Sequence, residues 1–359
     1  MLSNLKYMPT FRSRQQELIV LTSFIFGDHM FPMIEIIKEH DRKRKEENQL
    51  TFHEIYNSTI DHISATKVFV DLPLYLKERA SMKDEVLIFS RSVISNMEIR
   101  TEYLNSLASQ SSKIIPVISS YKQRSGLADS LYQQVKDLRT NFESIAFRSL
   151  YNHFLDDWDE IQSLATQKDF IILDLDSITP YPNPGNRRLI NSWREFNTCP
   201  KILLRSAIDS DITNVGLEHD DIVFSVDNGL IETYRKSFHA DAFGDYVGIK
   251  KDDLTTGGRI SPGFLFYDAV NNQFMGFKGD VKRLEEFEST IVPAVLGSTA
   301  AHEMEQSGLP YLLNNTGWNI LNNISTGAES GKSQAKFKRI AMEHYLHCMK
   351  TKIEAGEFD

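Results

Sequence analysis

The sequence predicts an α/β fold: a (β/α)8 barrel of the TIM type with a C-terminal β-hairpin and helical extension. Three observations predict it. Eight short apolar runs recur along roughly the first 240 of 359 residues. Several of them are apolar at successive positions, the pattern of strands covered on both faces, as in a parallel sheet. Segments with helical spacing lie between them, and eight such units fill the about 250 residues usual for a barrel of this kind.

Strand one is "YMPTF" at 7–11, weakened by Pro9. The helix after it, "RQQELIVLTSF", places Leu18, Leu21 and Ile25 on one face. "MFPMIEII" at 30–37 and "KVFVDLP" at 67–73 are strands two and three. "DEVLIFSRSVISNMEIRTEYL" is helical through Val86, Phe89, Val93 and Ile94. Strand four, "KIIPVIS" at 113–119, leads to a helix carrying Leu131, Val135 and Leu138. "SIAFRS" at 144–149, "DFIILDLDS" at 169–177, "KILLRSA" at 201–207 and "DIVFSVD" at 221–227 complete the eight. Strand centres stand roughly 20 to 45 residues apart, which leaves room for right-handed βαβ units. A doubly wound open sheet is the alternative, but no G-x-G-x-x-G turn follows an early strand. Further on, "GFLFYDAVNNQFMGFKG" predicts a hairpin turning at "NN", and two helical stretches follow, the first broken by a proline. The barrel is expected over 1–238 and the extension, packed on it without a flexible linker, over 239–359.

The formal charge of −9 opposes direct, sequence-independent binding to nucleic acid, which rests on Lys and Arg neutralising phosphates. Cys199 and Cys348 are the two cysteines, so neither a disulfide framework nor a cysteine-rich zinc site is expected. The N-terminus has no signal-peptide pattern, and no window approaches about 18 consecutive apolar residues, so the expectation is a cytoplasmic protein with no membrane span.

In such barrels the site lies at the C-terminal ends of the strands. The polar residues there are Arg12 on strand one, Glu35 on two, Asp71 on three, Ser119 and Ser120 on four, Arg148 on five, Asp174 and Asp176 on six, Arg205 on seven and Asp227 on eight. Asp174 and Asp176 are two apart and are expected on one face of their strand. Buried carboxylates need arginines, a cation or water. Three arrangements stay open: a structural ring of Asp–Arg pairs capping the barrel, an anion site gripped by Arg148 and Arg205, or a hydrolytic site in which Asp174 and Asp176 hold Mg²⁺ or Mn²⁺. Glu35, Asp71, Asp174, Asp176, Asp227 and Asp245 are the candidate catalytic acids; Arg12, Arg148, Arg205 and Arg259 are the candidate ligand-binding residues.

No H-x-H, H-E-x-x-H or G-x-S-x-G pattern occurs, so zinc-peptidase and α/β-hydrolase chemistry have no support. "GAESGKSQ" at 327–334 fails the P-loop spacing, since three residues rather than four separate Gly327 from Gly331. A helix N-terminus at Ser330–Ser333 is the plainer expectation, and its free N–H groups would suit an anion.

"FGDYVGIKKDDLTTGGRISPGF" at 243–264 is the most unusual stretch. Its glycines permit a tightly turned loop after strand eight, close enough to the mouth for Asp245 and Arg259 to reach a ligand; otherwise Asp245 caps a turn with Tyr246 packed beneath it. With "YMPTFRSRQQELIVL", "MFPMIEII", "KIIPVIS", "FMGFKG" and "STIVPAVLGS", this stretch resembles the Beta protein family of phages, phage satellites and bacterial genomic islands. The resemblance spans nearly the whole chain. It implies a component of phage–host conflict, such as anti-phage defence or a toxin–antitoxin-like system, with a toxin- or nuclease-type protein partner encoded nearby. It supplies no catalytic residues. An enzyme acting on a phosphorylated or nucleotide substrate is the alternative, and an oligomer is compatible with either.

Overall fold

A computed structural model describes residues 4–39, 50–76, 78, 82–251 and 261–358. It contains a closed barrel of eight parallel strands: Tyr7–Arg12, Met33–Glu35, Val68–Asp71, Ile114–Ile118, Ala146–Leu150, Phe170–Asp174, Lys201–Leu204 and Ala242–Asp245. These are strands one to eight below. Strand eight pairs with strand seven through Phe243↔Leu203 and with strand one through Tyr7↔Phe243, which closes the circle.

Seven of the eight runs read from sequence contain a barrel strand; "DIVFSVD" does not. Asp221–Ile222 instead pairs antiparallel with Gln273–Lys278, on the sheet formed by the hairpin Gly263–Asp268 and Gln273–Lys278. Phe224, in the middle of that run, is 83% exposed, so its apolar character serves no core. The closing strand is the four-residue "AFGD", buried throughout, and it falls within the segment assigned to the extension. Gly244 is required there: a Cβ would stand 2.6 Å from the Met8 carbonyl of strand one.

The helices follow the expected spacing with two breaks. The long segment after strand three divides at Asn96, which ends Asp84–Ser95 and caps Met97–Asn105 by accepting the Ile99 N–H at 3.1 Å. The stretch after the hairpin divides at Ser298, which accepts the Ala301 N–H to start Thr299–Gln306. Gln334–Glu354 is the long terminal helix, N-capped by Ser333.

Alternation along the strands sorts side chains into two cores. One face fills the barrel with Met8, Met33, Phe69, Ile115, Val117, Ala146, Phe170, Ile172, Ile202, Leu204 and Ala242. The other packs beneath the helices in a core continuous with the C-terminal residues: Tyr7, Phe243 and Phe358 touch, and Tyr345 of the terminal helix lies against Tyr267 and Phe274 of the hairpin.

Candidate functional site

The inward-facing register that carries Met8, Met33, Phe69, Ala146, Ile172 and Ala242 ends, at the C-terminal rim, on Arg12, Glu35, Asp71, Arg148, Asp174 and Tyr246. All six are buried. The top layer of the barrel is therefore polar, where lower layers are apolar.

Arg148 is its hub. Nε and Nη2 donate to Asp174 Oδ2 at 3.1 and 2.6 Å, Nη1 donates to Glu35 Oε1 at 2.8 Å and Asp71 Oδ2 at 2.6 Å, and Nη2 also donates to the Tyr246 hydroxyl at 3.2 Å. A guanidinium has five N–H donors, and these five bonds account for them. Arg12 Nε donates to Glu35 Oε2 at 2.9 Å, and the Tyr246 hydroxyl donates to Glu35 Oε1 at 2.8 Å. Arg100, on helix Met97–Asn105, donates from Nη2 to Asp71 Oδ1 at 2.9 Å while its other nitrogens reach the Leu72 carbonyl and Gln134. Asp174 Oδ1 accepts the Asp176 N–H at 2.8 Å. All six carboxylate oxygens are engaged, and three arginines balance three acids.

The electrostatics follow. Burial alone would raise the Glu35 carboxyl, but Arg148 and Arg12 hold it well below the usual carboxylate range. Asp71 goes the other way: burial, with Glu35 sharing the same arginine, outweighs Arg148 and Arg100. Arg148 loses by burial and gains more from Asp174, Tyr246, Glu35 and Asp71, so it is held firmly charged.

The remaining candidates lie elsewhere. Asp176 is not on the face of Asp174: the strand ends at Asp174, and Asp176 turns into the left-handed region (φ 51). Its half-exposed carboxylate meets Lys251 Nζ at 2.9 Å, and that lysine lies 5.1 Å from the Tyr246 ring centroid. Cations thus occupy both acids expected to hold Mg²⁺ or Mn²⁺, a poor fit for a metal centre; among the described residues no group of three or more His, Cys, Asp or Glu gathers for one. Arg205 is one residue out of the inward register set by Leu204, so it points away from the ring. It donates to the carbonyls of Ile178 at 2.8 Å and of Asp227, tying together the loops after strands six and seven. Asp227, in that second loop rather than on a strand, lies 3.6 Å from Arg205 Nη2 and accepts the Gly229 N–H. Arg259 and most of "TTGGRISPG" lie outside the described residues.

Asp245 faces outward by the same alternation. Its carboxylate accepts from the Tyr7 hydroxyl at 2.6 Å, from Tyr345 of the terminal helix and from the Val247 N–H at 2.8 Å. Burial raises its pKa against these three donors. Val247 and Gly248 both take positive φ, 52 and 66, an uncommon pair that includes a β-branched residue. That turn follows the buried Tyr246. Tyr246 and Arg100 are the two ring members that sequence reasoning missed. Parity along "AFGDY" would have found the first. An arginine on the apolar stripe Met97, Arg100, Thr101, Leu104 was the signal for the second.

The anion site considered at the start of the terminal helix is filled from within: Glu288 accepts the Gly331 N–H at 2.7 Å and the Ser330 hydroxyl at 3.1 Å. Both cysteines are buried and free. Among the described residues no helix is long and apolar enough to cross a membrane. A family model described as Beta protein matches residues 7–350. Neither a curated protein nor a solved structure matches the chain.

Proposed function

The chain belongs to the Beta protein family, and from that premise we propose that it is a component of a phage–host conflict system that works by binding a partner or ligand at the barrel mouth, not by catalysis in the ring. The setting comes from where proteins resembling this one occur, in phages, phage satellites and genomic islands. The observation that carries the binding reading is the complete pairing of the ring. A general base needs a lone pair that faces substrate, a general acid a proton to give, and a metal site unoccupied oxygens. Glu35, Asp71 and Asp174 spend every oxygen on Arg12, Arg100, Arg148, Tyr246 or backbone. Such a layer caps the barrel and holds the rim loops in place. An enzyme working through the Asp/Arg ring would first have to break these pairs.

The test is genetic and biochemical together. Phage are plated on cells carrying the gene with its chromosomal neighbours, with the gene deleted, or with the folded variant Glu35→Gln. Deletion should restore plaques and Glu35→Gln should still protect. The tagged chain should retain the product of a neighbouring gene on an affinity column. Plating that is indifferent to the deletion, with no neighbour retained, would sink the proposal.

A further inference from the structure

The rim above the ring is charged unevenly, and the residues that make it so belong to none of the networks above. One side is basic. Arg187 and Arg188 open helix Arg187–Glu195, and both are exposed. The other end of that helix lies at the N-terminal end of the barrel, where Lys201, the first residue of strand seven, donates from Nζ to the Trp193 carbonyl at 3.0 Å. Its first turn is therefore at the C-terminal rim. Arg124, also exposed, sits on the short helix Lys122–Ser125 just after strand four. Gln123 beside it donates to Asp156 Oδ2 at 2.8 Å, in the helix that follows strand five. Among the described residues none of these three arginines makes an ion pair.

The other side is acidic. Asp209 and Asp211 lie in the loop after strand seven, both exposed, and neither makes an ion pair among the described residues. That loop is held at the rim by its neighbours: the Ser206 N–H donates to the Asp176 carbonyl after strand six at 2.7 Å, and Lys250, after strand eight, donates from Nζ to the Ile212 carbonyl at 3.1 Å. Two aromatics accompany these charges. Tyr181, in the loop after strand six, is 52% exposed, and its hydroxyl lies so close to the loop after strand seven that a Cβ on Gly229 would stand 2.5 Å from it. Phe224, three residues before Asp227 in that second loop, is the side chain left in solvent. Strands six and seven are neighbours in the barrel, so the arginine turn, the two aromatics and the acidic loop share one sector of the rim. A single exposed apolar side chain is ordinary. Aromatic anchors set among charges that have no partner within the chain are the composition of a protein interface.

The charge pattern says which partner fits. A surface of one sign would attract half of this sector and repel the other half. A face with a basic half beside an acidic half is complementary to itself turned over, because a two-fold axis lays each half of one copy on the opposite half of the other. We propose that this sector of the rim is a homodimer interface, in which Arg187 and Arg188 of each copy meet Asp209 and Asp211 of the other, with Tyr181 and Phe224 as its apolar centre. The dimer goes beyond the binding role above and does not rest on the phage–host setting.

Sedimentation equilibrium of the full chain through the micromolar range tests it. The parent should dimerise, and its dissociation constant should rise at least several-fold between about 0.1 M and about 1 M salt, where the screening length falls from about 10 Å to about 3 Å. The double variant Arg187→Glu, Arg188→Glu and the double variant Asp209→Lys, Asp211→Lys should each be monomeric with the circular dichroism of the parent, since all four side chains are exposed. An equimolar mixture of the two should form a dimer again, because each then meets the opposite charge. Phe224→Ser should weaken the dimer without changing its dependence on salt. A parent that is monomeric at both salt concentrations, a dimer indifferent to both double variants, or a mixture that stays monomeric would overturn the interface. A monomeric parent that loses a neighbouring gene's product when Asp209 and Asp211 are changed to lysine overturns it too, and makes the acidic side a surface for a basic partner. Sedimentation does not read phage protection, so a monomer that protects leaves the conflict role standing, and a dimer that does not protect leaves the interface standing.

Discussion

Replacing Arg148 by alanine removes one side chain and strands three acids. Asp174 loses its ion pair with Arg148, Glu35 keeps Arg12 and Tyr246, and Asp71 keeps Arg100. The buried balance goes from three against three to two cations against three acids. Breaking a buried pair by removing one partner costs about 3–5 kcal/mol, a large part of the about 5–15 kcal/mol that holds a domain together. The chain can relieve part of this by keeping a proton on one acid, and each unit of upward pKa shift is worth about 1.4 kcal/mol. The sign follows. A carboxyl whose folded pKa is raised above its unfolded value gives stability that is complete below the unfolded pKa and lost as pH rises through the folded one. Arg148→Ala should therefore be more stable near pH 5 than near pH 8, whereas in the parent the contribution of Glu35, held down, is present above the ordinary carboxylate range and lost as pH falls through it, and that of Asp71, raised by burial, works in the opposite sense. Urea titration by circular dichroism at both pH values reads this directly. A variant whose midpoint stays within error of the parent at pH 7.5, or whose stability rises with pH, would refute the buried network. Arg148→Lys, a point charge in place of a five-donor fork, should fall between.

Four further outcomes are expected. Asp245→Ala leaves the Tyr7 and Tyr345 hydroxyls and the Val247 N–H without an acceptor, and at about 1–3 kcal/mol each the unfolding free energy from urea titration should fall by several kcal/mol. Gly248→Ala sets a Cβ 2.6 Å from the Tyr345 ring at φ +66, so its Tm should drop by several degrees, with strain of about 1–2 kcal/mol added to overpacking. His344, buried between Asn315 and the Tyr267 carbonyl, is pushed down by burial to about 4. Because its folded pKa lies below the unfolded one, its contribution is complete above about pH 6.5 and fades, by up to about 3 kcal/mol, as pH falls to about 4; His344→Gln should flatten that part of the stability–pH curve. Arg205→Ala releases the Ile178 and Asp227 carbonyls without touching the ring, so chymotrypsin should cut faster at Tyr181 and Phe224 while the global melting point hardly moves.

Most of the barrel was legible because its strands are buried on both faces and so read as apolar runs bounded by polar turns. The eighth was not, because "AFGD" is four residues long and contains a glycine demanded by the Met8 carbonyl, while "DIVFSVD" carries more apolar residues yet leaves Phe224 in solvent. Of the residues expected to converge at one end, Glu35, Asp71, Asp174 and Arg148 meet in the ring and Asp176 and Arg205 do not, while Arg12, expected only as a strand-end residue, joins it. Arg205 and Asp245 were not separable from them by position alone. One residue of parity decides that Leu204 and Tyr246 point inward and Arg205 and Asp245 outward, and parity is known only when the strand's true ends are known. Asp176 shows the same dependence: two residues beyond Asp174, it shares a face only while the strand continues, and the strand stops. Arg100 stands on a helix and not at a strand end, so only its place on an otherwise apolar stripe pointed to it.

Glu35 is ionised and fully paired in the polar layer at the top of the barrel. Carbon-13 NMR of the glutamate side-chain carboxyls, with the Glu35 signal assigned by Glu35→Gln, measures this on the folded protein. The pairing predicts that the Glu35 signal shows no titration step through the ordinary carboxylate range near pH 4.3. A step at that pH, as for a solvated glutamate, would mean that Arg12, Arg148 and Tyr246 do not hold it and that the ring is not the paired layer described.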